Sequence, residues 1–384
     1  MNECKACSSK IRRIGVVFMQ RIALKKICDI YDGPHATPKK ISEGPIYLGI
    51  DAINSDGKID YSQCAHLSEE DYKKWTKRVT PKEGDIVFSY EATLGRYALI
   101  PEGFKGCLGR RLAVIRNKSN NINERWLYYY FRSPEWTAFI QQQTVKGSTV
   151  NRISVEDFPE YTVPVMPLEK QNLIAEILSR LDRKIELNNL INDNLQQQTQ
   201  LIFDYIFQDL SGSKHVGDFI IPQRGTTLSS KDTVLGDVPV VAGGLEPSTY
   251  HNIANTLAPV ITISSSGANA GFVNLWGIPV WSSDSSYIDS SMTPYVYFWY
   301  AFLKRHQNNI YRIQTGSAQP HIYPNHIISL PISNIDYKKV DEYTQIVTPI
   351  FLTITENHKE NHQLKSVRDW LLPMLMNGQT IISD

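Results

Sequence analysis

Residues 168 to 208 read LEKQNLIAEILSRLDRKIELNNLINDNLQQQTQLIFDYIFQ, and neither Pro nor Gly interrupts them. Apolar residues recur in this stretch at alternating spacings of three and four, which predicts one long helix. On that register the seam positions are Ile174, Ile177, Leu181, Lys184, Asn188, Ile191, Leu195, Gln198, Ile202 and Tyr205. Seven of these ten are apolar, which suits a coiled-coil seam with a polar middle.

A second such segment runs from about Lys338 to Asn377, with seam positions at Tyr343, Ile346, Ile350, Ile354, Asn357, Leu364 and Leu371. Adding 169 carries Ile174 to Tyr343, Ile177 to Ile346, Leu181 to Ile350, Asn188 to Asn357, Leu195 to Leu364 and Ile202 to Leu371. The equivalence of Asn188 and Asn357 points to a paired device that fixes register between antiparallel helices, against the alternative of a solvated gap. Pro349 and Pro373 are expected to kink the second helix or end it early.

Upstream the same offset carries Gly147-Ser148 to Gly316-Ser317, Ile153 to Ile322 and Phe158 to Ile327, and Val163 to Val165 corresponds to Leu330 to Ile332. The chain therefore runs through one plan twice. Before each helix lies a globular block. In the first, Asp85 to Tyr90, Tyr97 to Ile100 and Leu112 to Arg116 read as strands and Glu124 to Gln143 as a helix. In the second, Val238 to Ala242, Val260 to Ser264, Gly271 to Asn274 and Val280 to Ser283 read as strands and Thr293 to Asn308 as a helix. Strands followed by a helix, twice over, predict α+β domains.

The 384 residues exceed one ordinary core, and 42% hydrophobic with 21% charged residues is the balance of a globular chain. The formal charge of +1 lacks a strong basic signature, but residues 1–160 carry 25 Lys and Arg against 19 Asp and Glu, and residues 214–335 carry six against six. Phosphate contacts in the second block would therefore lean on hydroxyls, amides and backbone N–H groups. Five cysteines, all in the first third, form no disulfide framework, and no apolar run reaches the ~18 residues of a membrane span. With no cleavable signal pattern at its start, the chain is expected to be cytoplasmic.

The segment ISVEDFPEYTVPVMPLEKQNLIAEILSRLDRKIELNN, with Gly147-Ser148 before it and Gln171 near the helix start, resembles the join between target-recognition domain and spacer helix in type I restriction-modification specificity subunits. The opening ICDIYDGPHATP at Ile27 to Pro38 resembles the start of such a domain, and FIIPQRGTT at Phe219 to Thr227 occupies the equivalent place in the second half. The second copy has Gly316-Ser317-Ala318-Gln319 and Leu330-Pro331-Ile332, but no matching proline turn or Gln.

The resemblance implies α+β target-recognition domains at 19–165 and 211–335, each followed by a long helix (166–210, and 336–384 with the tail), the two helices packing as an antiparallel coiled coil. Residues 1–18 would be a leader, with Met19 as the functional start. It implies a noncatalytic subunit that reads a bipartite, asymmetric site on double-stranded DNA and binds two methyltransferase subunits, through which motor and nuclease subunits join. S-adenosylmethionine, ATP and magnesium would sit on those partners, with no cofactor or metal in this chain. A helix of 40 residues at 1.5 Å per residue is about 60 Å long, so its length would set the gap between half-sites.

Base reading favours Arg for guanine and Asn or Gln for adenine. The candidates are Lys73, Lys74, Lys77, Arg78, Arg96, Arg110, Arg111 and Arg152 in the first domain, and Arg224, Lys231, Asn269, Arg312, Gln319 and His321 in the second, with Arg110-Arg111 foremost. The bland reading of each is a solvated surface group. Trp126, Tyr128-Tyr129-Tyr130-Phe131 and Trp136 could stack bases, but on an amphipathic helix they read as core. Cys4-x-x-Cys7 has half a zinc spacing without a second pair. Three D-x-K triplets, at Asp71, Asp182 and Asp336, lack a converging carboxylate. No methyltransferase, P-loop or G-x-S-x-G signature occurs. Two competing functions are a scaffold whose helices bridge two ligand-binding domains, and a stand-alone endonuclease.

Overall fold

The computed structural model describes residues 11–13, 20–145, 150–316, 319–378 and 380–382. Gly147-Ser148, Ser317-Ala318, Cys4 and Cys7 lie outside them. The chain divides into two compact units, residues 1–184 with 364–384, and residues 185–363. The backbone of Ile11–Arg13 pairs antiparallel with that of Thr380–Ile382.

The first unit contains β1 (Gln20–Ala23), β2 (Cys28–Asp32), β3 (Ile41–Leu48), β4 (Ala65–His66), α1 (Glu69–Trp75), β5 (Ile86–Ser89), β6 (Tyr97–Leu99), β7 (Gly106–Leu108) and β8 (Leu112–Asn117). Then come α2 (Glu124–Phe131), α3 (Pro134–Gln143), β9 (Thr162–Val165) and the first long helix, α4 (Leu168–Ile206), whose residues from 185 onward belong to the second unit. One helix was expected over Glu124 to Gln143. It is split because Ser133 caps a new helix, its Oγ accepting from the Trp136 N–H at 3.3 Å, with Pro134 in the first turn.

The second unit contains β10 (Lys214–His215), β11 (Gln223–Arg224), β12 (Val238–Val241), β13 (Thr249–His251), β14 (Val260–Ser264), β15 (Val273–Trp276), β16 (Trp281–Ser282), β17 (Ser285–Asp289), α5 (Val296–Arg305), α6 (Gln307–Arg312) and β18 (Pro331–Ile332). The second long helix, α7 (Tyr337–Met376), follows. Strand order is the same in both units: β2-β8-β5-β6 and β4-β3-β7 in the first match β11-β17-β14-β15 and β13-β12-β16 in the second. In each three-stranded sheet one pairing is parallel, β3 with β7 and β12 with β16. In each domain a first strand pairs antiparallel with the last one before the helix, Arg21 opposite Pro164 and His215 opposite Pro331.

The aromatic stripe of α2 and α3 is core: Trp126, Tyr128, Tyr129, Tyr130, Phe131 and Trp136 are all buried, and Trp136 Nε1 donates to Tyr97 Oη at 2.8 Å. Each such side chain taken fully from water contributes about 1.5–3 kcal/mol. Gln171 joins the helix start to this core. Its Oε1 accepts from the Asn123 N–H at 2.9 Å, and its Nε2 donates to the Met166 carbonyl at 2.7 Å and the Asn121 carbonyl at 3.0 Å. At the equivalent place in the second copy stands Val340, fully buried in an apolar cluster.

Within each unit the long helices pack antiparallel. In the first, Ile174, Ala175 and Leu178 of α4 share a cluster with Leu372, Leu375 and Met376 of α7, and Asp182 binds Arg368 at 2.8 Å and Tyr129 Oη at 2.7 Å. In the second, Asn188 Nδ2 donates to Asn361 Oδ1 at 2.9 Å and to Glu360 Oε2 at 2.7 Å, and Asn357 Nδ2 donates to Asn192 Oδ1 at 2.7 Å. Partner numbers fall on α7 as they rise on α4, which is the antiparallel sense.

The buried stripe corrects the expected register. On α4 it is Ile174, Leu178, Ile185, Asn188, Asn192, Thr199 and Phe203, with Leu181, Leu195 and Ile202 half-buried beside it. Adding 169 gives Tyr343, Val347, Ile354, Asn357, Asn361, Arg368 and Leu372, the stripe of α7, buried except for the half-buried Asn357, with Ile350, Leu364 and Leu371 beside it. Ile191, at 47% exposure, and Ile346, at 48%, are therefore not in the seam, and Ile177 is only half-buried. Ile191 precedes the inward polar Asn192, and Ile177 and Ile346 precede the equally apolar Leu178 and Val347, so each expected position falls one residue short of the stripe. Asn192 rather than Ile191 faces inward because Asn357 offers it a partner. The helix α7 also continues through Pro349, which lies on its exposed side between buried Val347 and Phe351, and Pro373 stands three residues from its end.

Replacing Asn188 with Leu strands the Asn361 carbonyl oxygen, and a buried polar group left unpaired costs about 1–3 kcal/mol. The urea midpoint of Asn188→Leu is expected to fall accordingly, and the double variant Asn188→Leu/Asn361→Leu to recover part of that loss. A single variant as stable as the parent would show that the pair contributes nothing.

Candidate nucleic-acid interface

In the first domain β2 runs into Asp32-Gly33, where the Gly33 N–H donates to the Leu112 carbonyl at 2.9 Å. A Cβ at Gly33 would stand 2.7 Å from that oxygen, so only glycine allows the approach. Beyond β5, the Tyr90 N–H donates to the Arg111 carbonyl at 3.1 Å, the Tyr90 carbonyl accepts from Ile153 at 2.7 Å, and Glu91 forms a bridge with Arg152.

The second domain repeats each bond. The Gly225 N–H donates to the Ser285 carbonyl at 2.8 Å, and a Cβ there would lie 2.5 Å from the Ser282 carbonyl oxygen. The Ser265 N–H donates to the Asp284 carbonyl at 3.1 Å, the Ser265 carbonyl accepts from Ile322 at 3.0 Å, and Ser266 bridges His321. Asp32 thus corresponds to Arg224, Glu91 to Ser266, Arg111 to Asp284 and Arg152 to His321.

The backbone is shared and the charges are exchanged. In the first cluster Arg111 Nε lies 3.2 Å from Glu91 Oε1, and Asp32 Oδ2 lies 2.8 Å from His35 Nε2 and 3.9 Å from Arg78 Nη1. Burial, reinforced by the Asp32 carboxylate, holds the Tyr90 phenol well above its ordinary pKa, so it stays a neutral hydroxyl. In the second cluster Arg224 Nη2 lies 2.8 Å from Asp284 Oδ1, Asp284 Oδ2 accepts from Ser266 Oγ, and the guanidinium sits 5.7 Å from the Tyr323 ring centre. The His321 ring stacks on Tyr323 at 5.9 Å.

Of the sequence candidates, this geometry gathers Arg78, Arg110, Arg111 and Arg152 in the first domain and Arg224 and His321 in the second. Arg110 is exposed beside Arg111, and its N–H donates to Tyr47 Oη at 3.2 Å. Lys73 and Lys74 lie exposed on α1 and Lys77 just beyond it, Lys74 held by Glu70 at 2.8 Å. Arg96 is half-buried with its Nη1 donating to the Ile53 carbonyl at 2.9 Å, which makes it a brace. Asn269 is half-buried in the turn after Ser266, Gln319 is exposed two residues before His321, and Lys231 and Arg312 are exposed elsewhere on the second domain. A search for cations and amides missed Asp32, His35, Glu91, Ser266, Asp284 and Tyr323. The signal was the Asp-Gly and Arg-Gly pairs inside the two domain openings.

Among the described residues no group of three or more His, Cys, Asp or Glu is placed to hold a metal ion. Burial pushes the Cys28 and Cys107 thiols up to about 12 and Cys64 to about 11, away from the thiolate a metal requires. The aspartates of the D-x-K triplets serve local structure: Asp182 holds Arg368, Asp71 lies 3.7 Å from Lys74, and Asp336 accepts from the Lys338 N–H at 3.1 Å. No helix among the described residues is long and apolar enough to cross a membrane.

Residues 20–197 match the family model of the type I restriction modification DNA specificity domain. Over that stretch the chain is similar to the specificity domain of type I restriction-modification systems. It is 22% identical to the type I restriction enzyme MjaIX specificity subunit of Methanocaldococcus jannaschii, over 98% of this chain and 93% of that one. It is 28% identical to the HindI specificity subunit of Haemophilus influenzae over 46% of this chain and 40% of that one. The fold is that of the crystal structure of a type I system S subunit from M. genitalium, with a TM-score of 0.59 and 17% identity over 94% of this chain and 96% of that one.

Arg111 has a φ of 74°, a backbone setting that costs a side-chain-bearing residue about 1–2 kcal/mol. If this strain is retained for the guanidinium, Arg111→Gly should melt no lower than the parent while its affinity for duplex DNA falls several-fold. A several-degree loss in melting temperature with unchanged affinity would make Arg111 a purely structural residue.

Proposed function

We propose that this chain is a specificity subunit that reads a bipartite, asymmetric target on double-stranded DNA and positions methyltransferase and restriction subunits on it. The observation that carries the reading is the pair of clusters with one hydrogen-bonding frame and exchanged side chains. A shared frame supports docking of both domains on the same polymer, and unlike donors and acceptors support unlike half-sites. The chain is itself noncatalytic. Two methyltransferase subunits would bind the two repeats, the restriction and motor subunits would join through them, and S-adenosylmethionine, ATP and magnesium would belong to those partners.

The two blocks would hold DNA differently. Residues 1–160 have a net charge of +6, so counterion release favours the first domain's contribution to affinity. The second block is neutral and rich in serine, including Ser282, Ser283, Ser285 and Ser286, a composition suited to neutral hydrogen bonds.

The test is made on the complex assembled with its methyltransferase subunit. The isolated chain should neither cut nor methylate DNA in magnesium, and cutting by it alone would contradict the reading. Removing one helical turn from each of α4 and α7, about 5.4 Å against 3.4 Å per base pair, should change the gap in the methylated target by one to two base pairs and leave both half-sites intact. An unchanged gap would refute the spacer role of the helices.

A further inference from the structure

We infer that Arg224 is the guanine-reading residue of the second domain, held in reading position by Asp284 and Tyr323. This rests on the DNA-reading function proposed above and names the residue and the base.

Three features distinguish Arg224 from a solvated surface cation. It follows Gln223, paired with Tyr287, at the end of the short strand β11, and it is followed by Gly225, whose closeness to Ser282 fixes the chain direction. Its Nη2 is engaged by Asp284 Oδ1, and Asp284 is in turn fixed by the Ser266 hydroxyl on its other oxygen. The guanidinium lies over the Tyr323 ring, 5.7 Å from its centre, and that ring is stacked on His321. The side chain nevertheless remains 43% exposed. The group is therefore held by Asp284 on one side and Tyr323 on another, while donors remain to be satisfied from outside.

A planar fork of N–H donors oriented in this way matches the O6 and N7 acceptors of guanine in the major groove, the commonest specific arginine contact. A phosphate can also be bound by the point charge of a lysine, whereas the paired O6 and N7 acceptors call for the planar fork, so Arg224→Lys separates the two contacts. The corresponding position of the first domain is Asp32, an acceptor, and the first domain carries its arginine across the cluster at Arg111, paired with Glu91. The donor thus stands on opposite sides of the two clusters, so a guanine specified through Arg224 has no counterpart at the same place in the first half-site.

The experiment selects binding sites from a duplex library with randomised half-sites, using the full chain assembled with its methyltransferase subunit, for the parent and for Arg224→Ala, Arg224→Lys and Asp284→Asn. The parent should require guanine at one position of one half-site. Arg224→Ala and Arg224→Lys should lose that preference by about 10- to 100-fold and leave the other half-site unaltered. Asp284→Asn should weaken it in the same place. Arg224→Lys keeps the charge and the reach to Asp284, so its parental melting temperature separates lost reading from lost folding. An Arg224→Ala complex with the parental base preference at every position overturns the assignment, as does a uniform loss of affinity across all sequences, the mark of a phosphate contact. A parent without any sequence preference would overturn the DNA-reading function itself, and the assignment with it.

Discussion

Asn188 and Asn361 face each other across the seam of two long helices, and Asn357 and Asn192 do the same. Under the 169-residue repeat each pair becomes the other. An amide buried among apolar side chains is tolerable only where its partner stands opposite, so any slip of one helix along the other would leave buried donors and acceptors unpaired. Apolar seam residues such as Leu178, Ile185 and Val347 supply the packing but would accept several alignments. The asparagines select one, and register then decides which segment of α7 lies beside each domain.

With register set, the domains are free to diverge where divergence is useful. Strand order, the closing strand pair and the bonds around Tyr90 and Ser265 are kept, because each satisfies backbone groups that could not be left unpaired. The side chains that project from that frame are not kept. Asp32, Glu91 and Arg111 in one domain stand where Arg224, Ser266 and Asp284 stand in the other. The docking of domain on helix differs as well. The first unit uses an ionic junction of Asp182 with Arg368 and Tyr129, and the second stacks Tyr297 on Phe351 at 4.6 Å.

The helices and the repeat were legible because helical periodicity is a property of the local sequence. Ile174, Asn188, Ile202, Tyr343 and Asn357 all fall where a period near 3.5 puts them. The error at Ile191 has a physical source, since hydrophobicity alone cannot foresee that a polar side chain will find its partner 165 residues away, as Asn192 finds Asn357. Strand β17 was missed for a related reason. SSYID reads as a loop, yet its serines are buried, with Ser285 Oγ 2.8 Å from Ser282 Oγ and 3.3 Å from the Val241 carbonyl. The clusters themselves were half legible. Their arginines could be named from composition, but their acids gain meaning only when Glu91 meets Arg111 and Asp284 meets Arg224 in space.

The central claim is that one frame carries two different readers. Sequencing the methylated bases in genomic DNA from cells that carry the intact system measures this directly. The account predicts one motif made of two unlike half-sites separated by a fixed run of unspecified bases. A palindromic motif, or a single undivided one, would contradict it.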